Sequence, residues 1–291
     1  MALKSKSVLV TGCSQGGIGA GLAEAFRDKG YHVFATARTP TKIPQSLAQA
    51  QDVTILPLDV LSSEAIDAAV ASVAKVTDGK LDVLVNNSGV VMVKPALDVS
   101  IQEGKRLFDT NYWAFLAMIQ AFAPLLIKAK GCVVNNTSAS GVAPFGVFSS
   151  IYNSSKAAAI LGSESWRLEL APLGVRTITL ITTAVKSRAF ANIEPVDIPE
   201  NSRYHGIRDY VAEVSDGRLQ KDGITAKQYG LEVVREVERG TTGKAWVGGG
   251  ATSARYGTWL LPDSMMDKLL ASVLRGPDAW QADLVDLNFS G

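Results

Sequence analysis

The 291-residue chain is 47% hydrophobic and 20% charged with a net charge of +1, so it can bury a sizeable core and offers no electrostatic case for a nucleic-acid partner. Cys13, Cys132, His32 and His205 fall at no usual zinc-ligand spacing, and no metal is expected. With no export signal and no run of about 18 apolar residues, the expectation is a cytoplasmic chain with reduced, buried thiols and no membrane span.

In chain order, residues 7–11 read as a short apolar strand and residues 12–19 as a glycine-rich turn. An amphipathic helix carrying Leu22, Ala23 and Phe26 then runs to Gly30, and residues 31–37 form a second strand. A third strand at 53–58 ends at Asp59, and Ser62 or Ser63 caps a helix reaching Val76. A fourth strand at 81–85 ends in Asn86-Asn87-Ser88-Gly89. A long helical pattern spans about 101–128, followed by a strand at 132–137, a helix at 150–170, a strand at 175–181 and a seventh strand at 245–248. Continuous apolar strands alternating with helices imply a Rossmann-like, doubly wound α/β fold: a mostly parallel seven-stranded sheet with helices on both faces.

No linker, repeat or low-complexity tract divides residues 1–291, so one domain is expected. The alternation stops over 186–243, where a long insertion after a strand end predicts a substrate lid, helical at 203–214 and 225–238. In the tail, residues 256–291, Met265, Met266, Leu269, Leu270, Val273 and Leu274 recur at helical spacing. Such a stripe packs on the domain or on a second subunit, with peripheral lipid contact as the weaker alternative.

Gly12, Ser14, Gln15, Gly17, Ile18 and Gly19 lie directly between a strand and a helix. Glycines there let the backbone approach a pyrophosphate, which sits on the unpaired N–H groups of the helix N-terminus. The same stretch matches G-x-S-x-G through Gly12, Ser14 and Gly16, a hydrolase elbow. That reading is disfavoured because the elbow follows the first strand rather than a central one, and beyond the adjacent second strand the only histidine is His205. At the end of the second strand an NAD site would carry an acid on the ribose 2′-hydroxyl; this chain has Ala37 and then Arg38. A guanidinium with no carboxylate beside it suits a 2′-phosphate, so NADPH/NADP+ is the expected cofactor.

Tyr152 and Lys156 are four apart on a helix, hence on one face, and Ser138 ends the fifth strand fourteen positions upstream of Tyr152. A phenol, an ammonium and a hydroxyl converging at a strand end can move a proton to or from a carbonyl oxygen. A free phenol has a pKa of about 10. A positive charge one turn away is expected to favour phenolate and lower it.

Together these residues resemble the short-chain dehydrogenase/reductase family over roughly residues 5–190. The glycine turn is similar to its T-G-x-x-x-G-x-G motif with one extra residue, and Asn86-Asn87-Ser88-Gly89 to its N-N-A-G element, with Ser88 in place of alanine. Asp59 and Val60 match the pair that meets adenine, Asn111 the asparagine of the long helix, and Ser138, Tyr152 and Lys156 the catalytic set. The resemblance implies that Lys156 also binds the nicotinamide ribose, that Val185 and Ser187 meet the carboxamide, and that Asn111 holds a water linking Lys156 to solvent. It further implies a homodimer or homotetramer. The sequence from Thr11 to Gly19, Ala35 to Arg38, and the Trp246 and Trp259 segments are similar to fungal NADPH-dependent 1-acyldihydroxyacetone-phosphate reductases and related secondary-metabolite ketoreductases. The implied activity is reduction of a ketone or aldehyde on a bulky, largely apolar small molecule. NADP-dependent alcohol oxidation and a non-redox nucleotide binder or cyclase are the alternatives. Thr182-Thr183 stands where the family usually has Pro-Gly or Thr-Gly, which leaves room for a changed nicotinamide pocket.

Overall fold

The computed structural model describes residues 5–146, 148–188, 198–215, 223–262, 264–266 and 268. Seven strands form one parallel sheet: β1 (Ser7–Val10), β2 (His32–Ala37), β3 (Val53–Pro57), β4 (Val83–Asn86), β5 (Cys132–Asn136), β6 (Arg176–Thr182) and β9 (Gly243–Val247). They lie in the order β3-β2-β1-β4-β5-β6-β9. The order reverses between β1 and β4, which makes the crevice beyond their carboxyl ends the place for a ligand in an open α/β sheet. Two further short strands, β7 (Val185–Lys186) and β8 (Ile224–Thr225), pair with each other outside this sheet.

Alternation along each strand splits the core into two layers. Val8, Val10, Val33 and Val134 face α1 (Ile18–Asp28) and α8 (Ala226–Glu238), meeting Leu22, Phe26, Tyr229 and Val233. Leu9, Phe34, Leu84 and Val133 face α3 (Ser63–Thr77) and α5 (Ala114–Ala129), meeting Val73, Phe115, Met118 and Phe122. Phe122 is fully buried, so truncating its ring should cost about 3–5 kcal/mol.

Helix α8 departs from the sequence reading, which grouped residues 225–238 with the lid. Its apolar face, Tyr229, Val233, Val234 and Val237, is buried against α1 and the sheet. Glycines set the close crossing: a Cβ on Gly230 would come 2.5 Å from the Gly21 carbonyl oxygen, and one on Gly21 would overlap the Ala226 backbone. A capping box between Thr225 and Gln228 starts the helix. Helix α8 therefore covers the sheet, and what the structure describes beyond β7 on the lid side is a 3-10 turn at His205–Ile207 and α7 (Arg208–Ser215). Phe190 and the tail stripe at Leu269, Leu270, Val273 and Leu274 lie outside the described residues.

The expected single helix at 101–128 is three pieces: α4 (Ile101–Phe108), a π turn (Asp109–Trp113) and α5. Hydrophobic periodicity does not register a one-residue widening of this kind. The joined run, Ile101–Ala129, is long and apolar enough by length and composition to cross a membrane, although polar residues interrupt it and no 18 consecutive residues are apolar. Its apolar face, from Phe115 to Leu126, is buried on the sheet.

Candidate active site

The glycine turn is pinned on three sides. Thr11 N–H donates to Val85 O (3.0 Å), Cys13 N–H to Thr36 O (2.8 Å) and Gln15 N–H to Lys42 O (2.8 Å). Gly12 and Gly16 have φ of +76°, a conformation that favours glycine. A Cβ on Gly19 would overlap the Gly12 carbonyl oxygen. Helix α1 then begins with Gly17 at its N-cap, no capping side chain and no acid in its first turn. Its leading N–H groups and partial positive charge face the crevice, as a diphosphate requires. The cradle therefore fits a dinucleotide.

The other residues expected to meet the cofactor lie at strand ends and in the segments that follow them. Arg38 is exposed directly after β2. Asp59 is half-buried and its Oδ1 accepts from Leu61 N–H (3.0 Å), while Val60 is buried. Asn87 Nδ2 donates to Thr11 O (2.8 Å), and Ser88 Oγ lies 3.0 Å from where a Cβ on Gly12 would stand. Val185 is buried and Ser187 half-buried beside it. Cys13 sits beneath the turn, its thiol pushed up to about 12 by burial, an inert packing residue.

Ser138, Tyr152 and Lys156 converge beyond β5. Ser138 caps the 3-10 turn Ala139–Gly141, its Oγ accepting from Ser140 N–H (3.1 Å). Tyr152 and Lys156 project from the first turns of α6 (Ser150–Leu170), and the Ser138 hydroxyl lies close enough to Tyr152 to act on its phenol. Lys156 is buried, and its Nζ donates to Asn136 O (3.3 Å) and lies 5.9 Å from the Tyr152 ring centroid. Gly89 packs against it: a Cβ there would be 3.4 Å from Lys156 Nζ and 3.2 Å from Asn111 Oδ1.

Electrostatics correct one expectation. Burial raises the Tyr152 phenol above its ordinary value, with only the Ser138 hydrogen bond acting downward. The same burial brings Lys156 down to about 8. Desolvation thus outweighs the through-space lowering that the sequence suggested, because both groups are withdrawn from water at one strand end. Lys156 still keeps its proton in roughly nine of ten molecules at pH 7.

Asn111 sits fully buried in the π turn. Its Oδ1 accepts from Val90 N–H (2.9 Å), and its Nδ2 donates to Val90 O (2.9 Å) and Ser155 Oγ (3.0 Å). The amide therefore ties the segment after β4 to α6, directly beside Lys156.

Thr183 does not crowd the crevice. Its hydroxyl donates to Val247 O (3.2 Å), and the room comes from Gly248, where φ is +119° and a Cβ would stand 2.7 Å from Thr183 Oγ1. The hydrolase reading fails on its base. His32 lies at the start of β2 bonded to Thr54 Oγ1 (2.9 Å), and His205 Nδ1 is occupied with the carbonyls of Ile198 (3.1 Å) and Pro199 (3.2 Å). Among the described residues no group of acids, histidines and cysteines could hold a metal.

One part of the site was not anticipated. Asn136 turns its side chain to the α1/α8 face, where Nδ2 donates to Asn87 Oδ1 (2.8 Å) and Oδ1 accepts from Thr182 Oγ1 (2.6 Å) and Tyr229 OH (3.1 Å). Thr182 Oγ1 and Tyr229 OH also lie 2.7 Å apart, and with one hydrogen each they make two of these three contacts at a time. This buried chain links α8, β6, β5 and β4 to the glycine turn, and the Asn136 carbonyl holds Lys156. The signal available was a polar pair, Asn135-Asn136, closing a strand that is otherwise apolar.

The description of the matching family model, short chain dehydrogenase, applies to residues 6–197. The chain belongs to the short-chain dehydrogenase family. Among curated relatives of this dehydrogenase, the short-chain dehydrogenase ptmH of Penicillium ochrochloron is 40% identical over 91% of this chain and 96% of its own length. An NADPH-dependent 1-acyldihydroxyacetone phosphate reductase from Schizosaccharomyces pombe is 38% identical over 72% of this chain and 71% of its own. A solved short-chain dehydrogenase from Streptomyces avermitilis superposes with a TM-score of 0.73 at 26% identity, covering 99% of this chain and all of the other. The seven-stranded sheet is thus the architecture shared with solved members of the family, and the chain is an oxidoreductase of that family.

Proposed function

We propose that this dehydrogenase reduces the carbonyl of a bulky, largely apolar small molecule with NADPH, using Tyr152 as proton donor. The observation that carries the reading is the convergence of Ser138, Tyr152 and Lys156 at the end of β5, with only β4 between that strand and β1, which leads into the glycine cradle. Arg38, exposed at the end of β2 with no acid at that position, supports NADPH over NADH, as does the named cofactor of the Schizosaccharomyces pombe relative. Bound NADPH supplies the hydride.

The chain's own residues supply position and proton. Ser138 Oγ and Tyr152 OH, close together beyond β5, can both reach one carbonyl oxygen. Ser138 orients that oxygen by hydrogen bonding, and Tyr152 gives up its proton as the oxygen gains charge. The protonated Lys156 beside it stabilises the phenolate left behind and hydrogen-bonds the nicotinamide ribose. The π turn holds Asn111 beside Gly89, which packs on Lys156, and a water held there would refill the Lys156 proton. Val185 and Ser187 face the carboxamide, and Asp59 and Val60 the adenine.

Phe148 and Tyr204 stack edge to face at 5.7 Å between the catalytic loop and the lid side, which supports an apolar pocket. Ile101, Trp113, Leu161 and Leu168 are exposed along α4 to α6, which supports a homodimer or homotetramer closed through those helices. Following NADPH consumption over a panel of ketones that includes an acyl-glycerone phosphate tests the function. Turnover of at least one bulky ketone, with NADH much poorer, is expected; a panel that leaves NADPH untouched while the nucleotide binds would overturn it.

A further inference from the structure

The start of α1 offers a bound diphosphate only partial positive charge, and the glycine turn adds no charged side chain to it. No charged side chain occurs from Thr11 to Ala23, and the next, Glu24, is acidic. The expected cation, Arg38, lies after β2, on the adenosine side of the crevice. Lys42, whose carbonyl accepts from Gln15 N–H, lies on that same side.

Arg188 approaches from the other side. It follows β7, whose pairing with β8 roots the segment, and its N–H donates to Gly16 O (2.9 Å). Its stem then runs across the turn: a Cβ on Gly16 would stand 2.6 Å from Arg188 Cδ and 2.9 Å from Cγ. Gly16, at φ +76°, is therefore doubly required to be glycine, by its backbone and by the arginine lying on it. Gly17, the next residue, is the N-cap of α1. The guanidinium is thus carried by a stem laid over the residues that lead into the diphosphate cradle, reached from the β6 side, opposite Arg38.

We propose that Arg188 is a clamp on the dinucleotide diphosphate, supplying the charge that the turn lacks. Its backbone bond to Gly16 and its stem over that glycine place it on the cofactor cradle. The proposal rests on the NADPH reading above. It separates two duties: Arg38 discriminates NADPH from NADH, whereas Arg188 holds the part common to both.

The test is equilibrium binding, without turnover, followed by the fluorescence of bound NADPH and NADH, with 5′-ADP and 5′-AMP as displacing probes. Arg188→Met keeps the stem and the backbone bond but removes the charge; Arg188→Lys restores a point charge. Arg188→Met should weaken NADPH, NADH and 5′-ADP by one common factor of about tenfold or more, leaving 5′-AMP much less affected. Arg188→Lys should recover part of the loss, and Arg38→Asp should weaken NADPH alone. A loss confined to NADPH, or unchanged affinity for both dinucleotides, overturns the clamp while leaving the cofactor reading standing. A wild-type chain that binds neither dinucleotide removes both together.

Discussion

Replacing Asn136 by alanine isolates the polar chain behind the site. In the folded protein the Asn136 amide accepts from Thr182 and Tyr229 and donates to Asn87. After truncation, Thr182 and Tyr229 still bond each other, so one hydroxyl stays satisfied and the other loses its acceptor. Asn87 Oδ1 loses its donor, although Asn87 is only half-buried and water can compensate in part. Each orphaned buried group costs about 1–3 kcal/mol, so with the discount at Asn87 the loss should be about 2–4 kcal/mol. Urea unfolding at equilibrium measures it, with the midpoint shifting at constant slope. Adding Thr182→Val should then cost about 1 kcal/mol less in the Asn136→Ala background than in the wild type, because the hydroxyl is already partly unpaired. A destabilisation below about 1 kcal/mol, or strictly additive costs, would refute the assignment of these bonds.

Three further outcomes follow from the site. Gly248→Ala should destabilise by about 1–3 kcal/mol, because φ is +119° there and the new Cβ meets Thr183 Oγ1; thermal melting with and without Thr183→Gly should show partial recovery in the pair, and a neutral Gly248→Ala would contradict the packing. Lys156 loses its proton above its folded value of about 8, so the rate of carbonyl reduction should fall as pH rises through 8 with a one-proton slope; a flat profile to pH 10 would contradict the role given to its charge. Arg38→Asp should shift the ratio of NADPH to NADH binding toward NADH by tenfold or more, since it replaces a cation with an anion at the 2′-phosphate; an unchanged ratio in paired titrations would exclude Arg38 from that contact.

Much of the fold was legible because the chain states it locally. Runs such as Val8-Leu9-Val10 and Val133-Val134 are apolar at every position, which only a strand covered on both faces demands, and all seven strands of the sheet were found within a few residues. The site residues were legible because motif spacing survives folding: Tyr152 and Lys156 share a helix face whatever surrounds them. What was lost depends on partners distant in sequence. Residues 225–238 read as a polar helix with one apolar stripe, and nothing local says that Gly230 meets Gly21 and draws the helix onto the sheet. The same limit hid Tyr229 and Thr182 as partners of Asn136, and concealed Gly248 as the position that accommodates Thr183. The direction of the Tyr152 shift was misjudged because a charge at i+4 is visible in a sequence and the depth of burial is not.

The most direct test of the account is Tyr152→Phe. Removing one hydroxyl leaves the ring on α6 and Lys156 against Asn136 untouched. Turnover of a ketone that the wild type reduces should fall by about a hundredfold to ten-thousandfold, while the dissociation constant for NADPH, titrated on the same sample, stays within about twofold. A variant that keeps its turnover would contradict the assignment of Tyr152 as proton donor.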